Sequence, residues 1–110
     1  MSKLALIASL RGQCDGPRDG ALLRYALGDA LLDSGDAAAA AEELRHALRF
    51  DPRYSAAWKL LGKACLAMDD RDGAAEAWRQ GRAVAQERGD KQAEKEMAVF
   101  LRRVERGPAD

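Results

Sequence analysis

The sequence predicts an all-α fold, a single small domain of six helices arranged as antiparallel hairpins along one axis. Three observations lead there. The chain overlays on itself at an offset of 34 residues, and repeats of that length are supersecondary units that stack. Apolar residues recur at helical spacing between short interruptions rich in Gly and Asp. Alanine is the commonest residue, and the 110 positions hold only three prolines, so little in the chain resists helix.

The first element spans 1–20. Ser2–Arg11 reads as a short capping helix with Leu6, Ile7 and Leu10 turned inward, and Gly12–Gly20 as a loop. Lys3 followed by Leu4-Ala5-Leu6-Ile7-Ala8-Ser9-Leu10 imitates a secretion signal, but the apolar run is seven residues long and Arg11 ends it. No A-x-A cleavage site comes after it, so the expectation is a cytoplasmic protein. Cys14 comes after Arg11-Gly12-Gln13, a poor lipidation context. Cys14 and Cys65 form no CxxC motif and read as reduced, buried or half-buried thiols.

Two repeats occupy 21–54 and 55–88. Laying Ala21–Phe50 over Ser55–Val84 gives nine identities, among them Leu27/Leu61, Gly28/Gly62, Asp36/Asp70 and Arg45/Arg79, against about three expected by chance from composition. In the first helix of each copy, Arg24, Leu27, Gly28 and Leu31 share a face, as do Trp58, Leu61, Gly62 and Cys65. Ser34-Gly35-Asp36 and Asp69-Asp70-Arg71-Asp72-Gly73 are turns whose Asp residues can cap the next helix. The second helices carry Ala40, Leu44, Ala47 and Leu48, then Ala74, Trp78, Gly81 and Ala85. Small residues let the axes approach while Leu44 and Trp78 fill the remaining space. Asp51-Pro52 ends the first copy, since proline disfavours helix at the residue before it.

The last helix spans 89–106, with Asp90 as its cap and Ala93, Met97, Leu101 and Val104 as its apolar stripe, Phe100 at the edge. Lys91, Glu94, Lys95, Arg102, Arg103 and Glu105 stay wet. Such a helix closes a stack that would otherwise expose its end. Residues 107–110 are a tail.

Composition and motifs narrow the chemistry. With 18 basic and 18 acidic residues, the chain lacks the basic excess that phosphate neutralisation needs, so nucleic acid is disfavoured. No apolar run approaches the length of a membrane span. His46, the single histidine, sits mid-helix beside Arg45 and Glu42 and reads as an exposed side chain without catalytic partners. There is no G-x-S-x-G, and the glycines match no phosphate-loop spacing. Asp69, Asp70, Asp72 and Gly73 miss the calcium-loop spacing, and no glutamate stands at the twelfth position. Trp58 and Trp78 fall on packing faces and read as core rather than ligand platforms. No catalytic residue, metal or cofactor is expected.

The two copies resemble the tetratricopeptide repeat family, whose pattern is W-x2-L-G-x2-Y, then A-x3-F, then P. The second copy supplies Trp58-x2-Leu61-Gly62-x2-Cys65 and Ala74-x3-Trp78; the first supplies Leu27-Gly28-x2-Leu31, Ala40-x3-Leu44 and Pro52. Arg24 stands in place of the tryptophan, Leu31 and Cys65 in place of the tyrosine, and Gln86 in place of the second proline. The resemblance, to the small bacterial type with two repeats and flanking caps, implies a right-handed superhelix of antiparallel hairpins. It also implies a concave groove, lined by the first helix of each repeat, that takes a peptide or a helix of a partner protein. By register the groove positions are Leu22, Tyr25, Asp29, Leu32 and Asp33, then Ala56, Lys59, Lys63, Leu66 and Ala67.

Helical geometry supports those positions separately, because Tyr25, Asp29 and Leu32 lie off the face used by Leu27 and Leu31. Lys59 and Lys63, four apart, would project together and could receive a carboxylate. The carboxylate clamp known in the family wants Lys and Asn where this chain has Tyr25 and Asp29, and an aspartate there repels a carboxylate, so chaperone-tail binding is not expected. The expected function is a non-catalytic protein-interaction module, a monomer or weak homodimer, with neither nucleic acid nor membrane as partner. An alternative is a self-associating scaffold sealed through Met97, Val99 and Phe100 of the last helix. A small enzyme or enzyme accessory would need a polar cluster that the sequence does not show.

Overall fold

A computed structural model describes residues 2–107. Among them are six helices and no strand: α1 (Lys3–Gln13), α2 (Ala21–Asp33), α3 (Ala37–Phe50), α4 (Ser55–Ala67), α5 (Arg71–Arg88) and α6 (Lys91–Arg106). Of the tail expected over 107–110, residues 108–110 lie outside the described ones.

Short junctions set the path of the chain. Gly35, Asp69 and Gly89 each take left-handed backbone, with φ of 93°, 61° and 75°. At each, the next N–H reaches back five residues: Asp36 to the Leu31 carbonyl, Asp70 to Cys65, Asp90 to Ala85. This is a Schellman closure, which satisfies carbonyls that the helix end leaves free. The aspartate then starts the next helix. Asp36, Asp70 and Asp90 accept from the N–H groups of Ala39, Gly73 and Ala93 at 2.9–3.1 Å. One residue stops a helix and the next one begins another, so consecutive helices must fold back. Asp90→Ala should remove about 1 kcal/mol, seen as a lower thermal midpoint with faster amide exchange confined to the first turn of α6.

Each helix packs on its chain neighbours, and α4 also touches α2 and α6. The first helices of the hairpins therefore stand side by side, with α3 and α5 behind them. The stack measures 42 × 33 × 21 Å. Leu27 and Leu61 are buried at equivalent places in their repeats, as are Leu44 and Trp78. Gly28 and Gly62 make room for them. A Cβ on Gly28 would lie 2.8 Å from the Leu44 side chain, and one on Gly62 would collide with the Trp78 indole nitrogen. Glycine is needed here because the facing side chain occupies the space where its own would stand.

Two expectations about the ends need correction. Helix α1 continues through Gly12 to Gln13, two residues into the expected loop. Of its three inward residues, Ile7 is buried and Leu10 half-buried, but Leu6 is exposed. One packing neighbour, α2, covers only a narrow stripe of α1. At the other end, Met97 is fully buried, its sulfur filling the space where a Cβ on Gly81 would stand. Met97 is thus core and unavailable to seal a dimer.

Arg24, where the repeat pattern has tryptophan, is the one buried charged residue among those described. Its Nε and Nη2 donate to the two Asp19 carboxylate oxygens, both at 2.8 Å. Nη1 donates to Glu43 at 3.1 Å, and Nη2 lies 3.4 Å from Asp15. Asp19 also accepts from the backbone N–H groups of Asp15 and Gly20, each at 2.9 Å. The guanidinium, and next to it the Asp15 N–H, hold the Asp19 carboxyl well below the usual carboxylate range. The network ties the loop between α1 and α2 to α3.

Candidate functional site

The expected groove residues lie on α2 and α4, and the structure divides them into two groups. On α2, Leu22 is 73 % exposed. Tyr25 is half-buried and stacks on Tyr54, with ring centroids 5.0 Å apart and planes 25° apart. Burial, and secondarily the Asp29 carboxylate, push the Tyr25 phenol upward, so it stays a neutral hydrogen-bonding ring. Leu32 is half-buried. Asp29 and Asp33 border a hollow of about 380 Å³ against α1, shared with Lys3, Leu6 and Leu10. Asp33 pairs with Lys3 at 3.1 Å, an exposed contact of little energetic weight.

On α4, the two lysines do not converge on a common point. Lys59 Nζ lies 3.5 Å from Glu96 of α6. Lys63 Nζ stands 5.4 Å from the centre of the Phe100 ring, also on α6, a cation–π contact. Ala56 is half-buried and Ala67 exposed. Leu66 is 43 % exposed and opens on a cleft between α4, α5 and α6. That cleft measures about 520 Å³, within the range of about 300–1,000 Å³ that ligand sites occupy.

The α6 side of this face is not legible in the sequence as a site. Phe100 reads there as the edge of a cap's apolar stripe and Arg103 as a wet position, and nothing marks Glu96. The available signal is that Met97 and Leu101 have the spacing of Leu61 and Cys65, which makes α6 a third first-helix beside α4.

The remaining chemistry-bearing residues find ordinary structural partners. His46 is half-exposed, with Nδ1 2.9 Å from Arg49. Cys65 is buried and Cys14 half-buried, and burial raises both thiols, which leaves them poor nucleophiles. Trp58 is half-buried, its indole N–H donating to the Pro52 carbonyl at 2.8 Å. Among the described residues, no three His, Cys, Asp or Glu side chains gather as metal ligands. No described helix is long and apolar enough to cross a membrane.

A family model described as tetratricopeptide repeat matches residues 31–98. The TPR repeat-containing protein PA0015 of Pseudomonas aeruginosa is 59 % identical over 88 residues, covering 80 % of this chain and 84 % of that protein. Among solved structures, protein BPP2914 from Bordetella parapertussis superimposes with a TM-score of 0.81 at 45 % identity, covering 96 % of this chain and 90 % of that one. The tetratricopeptide repeat domain protein from Salinibacter ruber gives 0.76 at 27 % identity, over 87 % and 96 % of the two chains. The Sgt2 TPR domain from Aspergillus fumigatus gives 0.72 at 27 % identity, over 98 % of this chain and 76 % of that one.

Proposed function

The chain belongs to the tetratricopeptide repeat family, and on that premise we propose that it is a non-catalytic module that binds a segment of a partner protein along the face of α2, α4 and α6. Members of the family generally bind other proteins. One observation of this chain carries the reading: Leu22 and Leu66 are 73 % and 43 % exposed on the helices that stand side by side. Leucines on a solvent face cost solubility and become favourable when a partner covers them. In this reading the repeats 21–54 and 55–88 supply the trough, and 1–20 and 89–106 close it. Tyr25, Leu32 and Leu66 give apolar contact, while Asp29, Asp33, Lys59 and Lys63 set polarity and register. The protein works in the cytoplasm, as a monomer or weak homodimer, without cofactor. So short a stack offers a small interface and hence modest affinity.

The test begins with capture of the partner from the native host and continues with the purified partner. Leu22→Glu and Leu66→Glu, both at exposed positions, should each weaken the measured Kd tenfold or more while the unfolding midpoint holds. Lys59→Glu/Lys63→Glu should weaken binding of an acidic partner. Unchanged affinity in all three variants refutes this face as the binding surface.

A further inference from the structure

The cleft between α4, α5 and α6 has a composition that selects among partners. Its floor is the buried indole of Trp78 with Phe100 against it, ring centroids 5.3 Å apart. Leu66 and Val104 extend the apolar wall. Three cations stand around it, Lys63 from α4, Arg71 from the start of α5 and Arg103 from the end of α6, and no lining residue is acidic. None of the three forms an ion pair among the described residues. The described ion pairs of this region lie elsewhere, Lys59 with Glu96 and Arg79 with Glu76 and Glu105. Arg71 donates to the Val104 carbonyl in the last turn of α6, which fixes its guanidinium at the rim. The Asp70 carboxylate is engaged by the Gly73 N–H.

We infer that this cleft is a specificity pocket for an acidic segment of a partner protein, in which one large apolar side chain enters over Trp78 and Phe100 and flanking carboxylates meet Lys63, Arg71 and Arg103. The inference rests on the partner-binding reading above and adds the chemistry of the partner. Charge complementarity names the occupant. A basic or neutral segment would leave three cations facing no counter-charge in a partly desolvated site, whereas carboxylates gain charge-assisted hydrogen bonds there. The apolar floor demands more than charge, because free carboxylates alone leave Leu66 and the uncovered part of Phe100 in water.

The indole N–H of Trp78 donates to the Lys59 carbonyl at 3.1 Å, so its nuclear magnetic resonance signal reports on the pocket floor. Trp58, bound to Pro52, is an internal control. The probe is a blocked peptide with one phenylalanine between two runs of three glutamates. Two comparison peptides carry alanine for the phenylalanine, or lysines for the glutamates. The expected result is a saturable shift of the Trp78 indole signal with Trp58 still, affinity falling with added salt, and at least tenfold weaker binding in Arg103→Glu. Arg103→Ala, which adds no new charge, should weaken it severalfold and guards against misfolding in the first variant. No saturable shift at about millimolar peptide, or equal binding of the lysine peptide, overturns the inference. So does a Trp78 shift driven by protein concentration alone, which would mean that a second copy fills the cleft. If the purified partner binds through Leu22 and Leu66 but is indifferent to Arg103→Glu, the groove reading stands and this one falls.

Discussion

Arg24→Met is expected to destabilise the protein by about 3 kcal/mol, the scale for removing one partner from a buried charge pair. Methionine matches the length of the stem but leaves Asp19 and Glu43, with side chains only 10 % and 15 % exposed, facing each other without a cation. Urea unfolding should show a lower midpoint with an unchanged slope. The pH dependence has a definite sign. The folded Asp19 carboxyl lies below its unfolded value, so its contribution is full above about pH 4 and is lost as pH falls toward the folded value. Without Arg24, the buried carboxylates instead gain by taking up protons. The stability gap between the two proteins should therefore narrow below about pH 4, and a gap constant with pH would show that packing, not charge, holds the loop. Restoring neutrality with Asp19→Asn and Glu43→Gln in the methionine variant should recover part of the loss.

Trp78→Ala is expected to cost about 3–5 kcal/mol, the range for emptying a buried aromatic site. Trp78 is 3 % exposed, its indole edge lies against Gly62, and its ring packs with that of Phe100. Its removal opens the junction of α4, α5 and α6 at once, so the C-terminal helix should lose amide protection with α5. The complementary change, Gly62→Ala, should cost about 1–3 kcal/mol by overpacking. Gly62→Ala combined with Trp78→Phe should cost less than the sum of the two single changes, because the smaller ring clears the space the new methyl needs. Strict additivity would mean that the two positions are not in contact.

Much of the fold is readable from short-range rules. The caps at Asp36, Asp70 and Asp90 come from capping chemistry and the buried faces of α2 to α6 from helical spacing, but Arg71, Asp72 and Gly73, expected as turn, form the first turn of α5, because the Asp70 side chain already caps the Gly73 N–H. Arg24 shows where that reasoning runs out. Its spacing places it on the packing face, where it is, but nothing local indicates that Asp19 and Glu43 neutralise it there. Lys59 and Lys63 show the same limit for the site. Four-residue spacing puts both on one side of α4 but does not reveal that α6 brings Glu96 to one and Phe100 to the other.

Short-range patterns in the chain fix the six helices, the aspartate caps at Asp36, Asp70 and Asp90, and the small and large residues of the packing faces. Each depends on residues within a turn or one hairpin of one another. How α6 lies against α4 is set by long-range packing. That contact joins positions 37 residues apart, and it creates the cleft in which Lys63, Arg71 and Arg103 surround an aromatic floor. Charges and rings that far apart in the chain come to share one cleft only when packing brings them together, and no periodicity of one helix records which side of the next it will meet.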